Sequence, residues 1–319
     1  MPRNDNAKKP PLTVRLASPR GFCAGVERAI RTVEEALALH GAPVFVRHEI
    51  VHNTHVVARL SAMGAVFVED LGGVPTDRPV VFSAHGAPRT AHEDAASRKL
   101  MKIDATCPLV LKVHSQIRRH VSAGRKVILI GHRNHPEVIG SMGQAPEGAV
   151  ILVETLDNIA ALPDFAGPLA YSTQTTLSVD ETKDMIAALK ARFPEIAGPA
   201  REDICYATSN RQEAVKAAAK TCDLFVVIGS PTSSNSVRLV ETAKAAGAAD
   251  ALLLEDAERF DWTLLNGVNT IGLSAGASAP ETLVEAFLTA LAARRNLRID
   301  HIETAREDVV FNTPHRLAS

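Results

Sequence analysis

Aromatic side chains are scarce in this 319-residue chain, where 10 Phe, 2 Tyr and 1 Trp make up 4% of the total. Few flat surfaces are therefore present on which unpaired bases could stack. An excess of either charge is also missing. The 35 Lys and Arg against 36 Asp and Glu leave a formal net charge of −1, which supplies no long-range field for a phosphate backbone. These two deficits exclude nucleic acid as a partner. No apolar run approaches the ~18 residues of a membrane-spanning helix, and the opening segment, Met1 to Pro11, is polar with no apolar signal core. The expectation is a cytoplasmic protein with no membrane partner. Cysteine is limited to 4 residues with no C-x-x-C pair. In a reducing compartment such isolated thiols are structural, catalytic or metal-bound rather than disulfide-bonded.

What is present is a 46% hydrophobic content, enough to bury sizeable cores, and a threefold repetition built on cysteine. Cys23, Cys107 and Cys205 each precede a helical run, and 23 residues after each one a short apolar strand ends: Val44-Phe45-Val46, Val127-Ile128-Leu129-Ile130 and Phe225-Val226-Val227-Ile228. Polar tips follow at nearly equal distance: His52-Asn53, His135-Pro136-Glu137 and Ser233-Ser234-Asn235. A second tip closes each segment: Ser83-Ala84-His85-Gly86, Ser172-Thr173-Gln174-Thr175, and Ser274 to Ser278. Each unit thus offers one sulfur and two polar tips.

Helical runs such as Val26 to His40, Val179 to Phe193, Arg211 to Lys220 and Thr282 to Arg294 alternate with Val/Ile/Leu strands, the pattern of parallel sheets covered on both faces. Thr90 with Glu93, Ser178 with Glu181 and Ser278 with Glu281 have capping-box spacing; Pro108 and Pro280 mark helix starts, and Gly41, Gly124 and Gly247 mark helix stops. The predicted fold is α/β. Three similar αβα units, 12–106, 107–203 and 204–296, stand pseudo-threefold around a shared centre, followed by an extended tail, 297–319. In such sheets ligands collect beyond the carboxyl ends of the strands, beside helix N-termini. All nine tips are expected at strand-to-helix transitions.

Three cysteines at matching helix starts, where the helix dipole favours thiolate, point to a common metal centre; Cys222 has no counterpart and reads as a core residue. All-sulfur zinc sites use paired C-x-x-C ligands, which are missing. Three thiolates suit an iron-sulfur cubane, leaving one iron open to a substrate oxygen. His48-Glu49-Ile50-Val51-His52 matches the H-E-x-x-H zinc signature, but that motif needs a helix. As an extended segment it would hold its two histidines about 13 Å apart at about 3.3 Å per residue, too far for one ion. His52, His85 and His135, with Ser233, Ser234, Asn235 and Ser278, offer imidazole, hydroxyl and amide donors suited to a phosphate group without a P-loop, with histidine protonation as a further possible source of charge. Glu137 is the one carboxylate inside a tip other than the caps, the expected general acid if enclosure raises its pKa.

Gly21-Phe22-Cys23-Ala24-Gly25-Val26, Val51-His52-Asn53, Ser83-Ala84-His85-Gly86, Asp104-Ala105-Thr106-Cys107-Pro108 and Gly131 to Glu137 resemble the 4-hydroxy-3-methylbut-2-enyl diphosphate reductase family. So do Thr173 to Ser178, Asp203 to Arg211, Ser233-Ser234-Asn235-Ser236 and Ala275 to Pro280, in the same order, from about Leu12 to Pro314. The resemblance implies two-electron reductive dehydroxylation of an allylic diphosphate to isopentenyl and dimethylallyl diphosphate. It implies a 4Fe-4S cluster on Cys23, Cys107 and Cys205, Thr175 bonded to the substrate hydroxyl, and Glu137 as proton source. His52, His85, His135, Ser233, Ser234, Asn235 and Ser278 would hold the diphosphate, and a ferredoxin or flavodoxin would deliver electrons. A cluster-dependent hydro-lyase and a non-catalytic iron-sulfur sensor are the competing readings; consumption of reductant and turnover of a diphosphate separate them.

Overall fold

The computed structural model describes residues 9–314, so residues 1–8 of the polar leader and 315–319 of the tail lie outside the described residues. The chain begins β1 (Pro11–Ser18), α1 (Ala24–His40), β2 (Val44–Arg47), α2 (Thr54–Ala62), β3 (Ala65–Val68), β4 (Pro79–Phe82), α3 (Arg89–Ser97) and β5 (Met101–Asp104). It continues α4 (Pro108–Ser122), β6 (Lys126–Ile130), α5 (Pro136–Met142), β7 (Val150–Val153), α6 (Leu156–Ala160), β8 (Leu169–Thr173) and α7 (Val179–Arg192). It ends α8 (Tyr206–Ala219), β9 (Leu224–Ile228), α9 (Ser234–Ala245), β10 (Ala251–Leu254), β11 (Thr270–Ala275), α10 (Glu281–Arg294) and β12 (Asn296–Glu303).

Among the described residues two compact units result, one from 9–22 with 209–308 and the other from 23–208 with 309–314. The first holds a five-stranded sheet of order β10-β9-β11-β1-β12; the second holds a four-stranded sheet, β3-β2-β4-β5, and a three-stranded one, β7-β6-β8. Every strand pairing is parallel. The inner strands β4 and β9 are buried along their whole length, which is why they read as continuous apolar runs. On one face Val226 and Ile228 of β9 pack with Val14, Leu16, Ile271 and Phe287, and on the other Phe225 and Val227 pack with Val215, Ala218 and Leu239. Each such fully buried side chain contributes about 1.5 to 3 kcal/mol.

Register places the tips. In the second unit Arg47, Phe82 and Asp104 lie side by side at the ends of β2, β4 and β5, so the segments carrying His52, His85 and Cys107 leave adjacent strand ends. Ile130 of β6 pairs with Thr173 of β8, which sets the His135-Glu137 segment beside Gln174 and Thr175. In the first unit Ile228 pairs with Ala275, bringing the Ser233 to Asn235 segment beside Ser278.

Three parallel sheets are present, as expected, but of unequal size, with five, four and three strands. β1 does not join β2 to β5; it pairs with β11 and β12, because an apolar run declares burial but not which sheet will take it. The extended tail is a strand over its first part. Residues 296–303 run in register with the whole of β1, from Pro11 opposite Asn296 to Ser18 opposite Glu303. β12 is an edge strand whose exposed positions include the charged Arg298 and Glu303, a device that discourages further pairing and blurs the apolar signal. Cys205 also departs from the pattern, since it follows a coil after α7 rather than a strand. Two of the three capping boxes are not used. α3 starts at Arg89 and takes Thr90 inside it, and α10 starts after Pro280, while Ser178 does cap α7 by accepting from Glu181 N–H.

Candidate active site

Cys23 is the N-cap of α1, Cys107 the N-cap of α4 with Pro108 at its first position, and Cys205 stands directly before α8. Backbone bonds tie these segments to the tips: Cys107 N–H donates to Ala84 O at 3.0 Å, and Cys205 N–H to Thr175 O at 3.1 Å. Gly25 shows how closely two of the sulfurs approach. A Cβ on it would stand 2.7 Å from Cys107 Sγ and 3.8 Å from Cys23 Sγ, so only glycine leaves room there. All three are free thiols.

Burial decides the protonation of Cys107 and Cys205. It pushes the Cys107 thiol up to about 12, with Cys23 and Cys205 adding repulsion. The Cys205 thiol rises to about 11 from burial first, then from Cys23 and, more weakly, Glu137. Desolvation thus outweighs the helix N-termini that the sequence suggested would favour thiolate. Cys107 and Cys205 each feel Cys23, and Cys205 feels Glu137, so a positive centre among them would favour their ionisation. No three His, Cys, Asp or Glu side chains among the described residues are grouped to hold a single metal ion. Cys222 is separate: 2% exposed, it donates its S–H to Ala218 O at 3.1 Å inside the apolar core.

The three tip histidines form a cluster. His52 stacks on His85 with ring centres 4.1 Å apart, and His135 meets them edge-on at 5.5 and 5.9 Å. His52 Nδ1 lies 3.1 Å from Glu49 Oε2, and His135 Nδ1 accepts from Glu137 N–H at 3.2 Å, capping α5. That bond leaves Nε2 to carry the proton of a neutral His135 ring. Burial, then the neighbouring imidazoles, holds His85 well below its ordinary pKa and brings His135 down to about 3. Without an anion the His85 and His135 rings are neutral donors, so the charge that protonation could add is opposed at these two positions. His48, the first residue of the zinc-protease match, lies in a loop and pairs with Glu69 at 2.8 Å. The signature's helix is missing.

Glu137 is 3% exposed. Its carboxylate accepts two bonds from Thr175, 2.6 Å from the backbone N–H and 2.9 Å from the hydroxyl. Burial nevertheless raises it to about 7, against those two bonds and with a small push from Asp203. A carboxyl poised there can hold or release a proton near neutrality.

In the first unit Ser233 caps α9, accepting from Ser236 N–H at 3.3 Å, and Ser278 donates to Ser233 Oγ at 3.4 Å. Ser234 opens α9. Ala277 N–H donates to Asn235 Oδ1 at 2.8 Å, which orients the amide. Its Nδ2 is then a buried donor with no partner among the described residues.

Sequence reasoning missed several supporting groups. Lys112 meets the Asp203 carboxylate at 3.2 Å, and Gln174 Oε1 accepts from His132 N–H at 3.0 Å. Arg28, buried on α1, donates to Thr106 O at 2.9 Å and senses the charge of Cys107. His114 packs its ring against Gly86, whose φ is +79° and whose Cβ would stand 2.6 Å from His114 Cε1. Only Gln174 and Asp203 had a sequence signal, as members of motifs assigned no role of their own.

A three-sheet parallel α/β chain with one half-buried thiol at each of three helix starts is the class this geometry defines. The chain belongs to the LytB protein family, whose model matches residues 14–292. It is 59% identical over 311 residues to the 4-hydroxy-3-methylbut-2-enyl diphosphate reductase of Phenylobacterium zucineum, covering 97% of this chain and 99% of that one. Among solved structures it is similar to the E-1-hydroxy-2-methyl-but-2-enyl-4-diphosphate reductase of Plasmodium falciparum, with TM-score 0.92, 39% identity and 97% of both chains covered. It is also similar to an (E)-4-hydroxy-3-methyl-but-2-enyl diphosphate reductase described as the terminal enzyme of the non-mevalonate pathway. There the TM-score is 0.63 and the identity 33%, over 88% of this chain and 99% of that one.

Proposed function

We propose that this chain carries out the two-electron reductive dehydroxylation of (E)-4-hydroxy-3-methylbut-2-enyl diphosphate to isopentenyl diphosphate and dimethylallyl diphosphate. The reaction takes up two electrons and two protons, breaks the allylic C–O bond and releases water. The observation that carries the reading is geometric: the sulfurs of Cys23 and Cys107 meet at Gly25, and Thr175, which accepts from Cys205 N–H, holds the buried Glu137 carboxylate with two bonds.

The donor set fits a 4Fe-4S cluster held by Cys23, Cys107 and Cys205. The Cys107 and Cys205 thiols, both raised by burial, need a positive partner in order to ionise, and Gly25 leaves room for the sulfurs of Cys23 and Cys107 to stand close to one another. When bound, such a cluster supplies the electrons and one iron with a free coordination position. A ferredoxin or flavodoxin would replenish the electrons in a reducing, cytoplasmic setting; among the described residues no helix is long and apolar enough to cross a membrane.

The protein's own part is binding and proton supply. Thr175, its hydroxyl bonded to Glu137 Oε2, is proposed to accept the substrate's hydroxyl proton in a hydrogen bond and align the leaving oxygen. Glu137 gives that oxygen the proton with which it departs as water. The imidazoles of His52, His85 and His135 donate to phosphate oxygens, whose charge would raise the affinity of His85 and His135 for protons. Ser233, Ser234, Asn235 and Ser278 are proposed as further donors to phosphate oxygens, with the Asn235 amide the best prepared.

The test is anaerobic turnover with a chemical reductant, quantifying both products, reductant consumed, and iron and sulfide per chain. Two electrons per product molecule are expected. Conversion without reductant would indicate a hydro-lyase, and cluster binding without turnover a sensor.

A further inference from the structure

Two buried arginines converge on one short stretch of the C-terminal segment. In the first unit Arg211 is fully buried and forked onto Glu307, with Nη1 3.0 and 3.2 Å from the two carboxylate oxygens. Asn210 adds a bond to the same carboxylate at 3.1 Å. The rest of that guanidinium holds the carbonyls of Gly21 and Phe22, at 2.8 and 3.1 Å from Nη2. These are the two residues before Cys23.

The second unit repeats the arrangement with different parts. Arg28 Nε donates to Asn312 O at 2.8 Å while its Nη1 donates to Thr106 O at 2.9 Å and its Nη2 reaches Asp104 O at 3.4 Å. Thr106 immediately precedes Cys107. Arg31, one turn further along α1, donates to Phe311 O at 2.7 Å. A buried guanidinium needs all its donors met, so residues 307 and 312 complete the shells of two cations that grip the backbone entering two cysteines.

We infer that residues 307–312 are a positioning strap for the cysteine loops, acting on Cys23 through Arg211 and on Cys107 through Arg28. The inference rests on the assignment of those cysteines as cluster ligands. A lysine at 28 would keep the positive charge beside Cys107, but one ammonium cannot span Thr106 O and Asn312 O in the fixed geometry of a guanidinium fork. Charge alone is therefore not expected to substitute.

The test uses the full chain, a chain ending at Asp308, and Arg28→Lys. Ending at Asp308 leaves the Arg211–Glu307 pair intact, so this variant avoids an uncompensated buried charge. Amide hydrogen exchange is measured on metal-free protein, and iron and sulfide are counted after anaerobic reconstitution. In both variants exchange over residues 104–107 should rise about tenfold, as expected for loss of one charge-assisted hydrogen bond. Strand β6 should stay unchanged and bound iron should fall below about half of wild type. Exchange that stays at the wild-type rate, or rises equally in β6, overturns the strap; so does loosened backbone with full iron. A wild-type chain that takes up no iron would sink the cluster reading instead, while the exchange result would still decide whether residues 309–312 hold the Cys107 loop.

Discussion

Thr175 commits both its backbone N–H and its hydroxyl to the Glu137 carboxylate, at 2.6 and 2.9 Å. Two donors on one carboxylate would ordinarily stabilise the anion, yet burial prevails and the group titrates at about 7. The pair can therefore pass a proton without rearranging. Glu137→Gln keeps the shape and can still accept from Thr175 N–H, but has no acidic proton. Turnover is expected to fall by about 100-fold or more, with iron per chain and KM close to wild type. Near-normal kcat in this variant would remove Glu137 as the proton source.

The same carboxyl links stability to pH. Its ordinary pKa is 4.5 and its folded value about 7, so between those values the folded protein keeps a proton that the unfolded chain has released. Stability must then fall as pH rises through this window, by up to about 3 kcal/mol, and be restored below it. Glu137→Gln removes this contribution. Thermal unfolding of metal-free protein should show the variant gaining on wild type between pH 5 and pH 8. A constant difference in Tm at the two pH values would contradict the shift.

Much of this architecture was legible because parallel strands covered on both faces must be apolar throughout. Val127 to Ile130 and Phe225 to Ile228 announced themselves in that way, and with them the tips that follow. β12 escaped because an edge strand alternates with charge, and β1 because apolar character does not name a partner strand. Ser278 looked like a cap because its spacing to Glu281 was right, but it lies in a turn closed by Ala279 N–H on Gly276 O, the helix starts only after Pro280, and the hydroxyl donates to Ser233 instead. The protonation of the cysteines was misjudged for a different reason. Helix starts are visible in a sequence, whereas the desolvation that overrides them depends on what packs around each sulfur. The roles of Arg28 and Arg211 were invisible for the same cause, since their partners are backbone carbonyls distant in the chain.

Gly25 gives a test of the thiol arrangement that leaves every ligand in place. A methyl group there would overlap Cys107 Sγ at 2.7 Å and touch Cys23 Sγ at 3.8 Å. Because the position lies in the first turn of α1, alanine is acceptable to the helix and even favoured by up to about 1 kcal/mol. Gly25→Ala should therefore fold, with Tm within a few degrees of wild type, while binding less than about half the iron. Full iron content in the folded variant would mean that the sulfurs have room to separate and still hold the cluster.

Asn235 separates recognition from packing. Its Oδ1 is fixed by Ala277 N–H at 2.8 Å, and its Nδ2 is buried with no partner among the described residues. An unmet buried donor costs about 1 to 3 kcal/mol, which a phosphate oxygen would recover on binding. Asn235→Ala should weaken binding of the diphosphate substrate by about tenfold or more, through loss of one such bond. Asn235→Asp is the sharper variant. It preserves the acceptor for Ala277 and the side-chain volume, but sets a carboxylate oxygen where the donor was, so like charges would face each other. Binding should weaken further, by about 100-fold, with Tm near wild type. Kd for the substrate, measured beside kcat and thermal unfolding, decides between the roles: if the aspartate variant binds as tightly as wild type, Asn235 serves the loop at Ala277 and not the ligand.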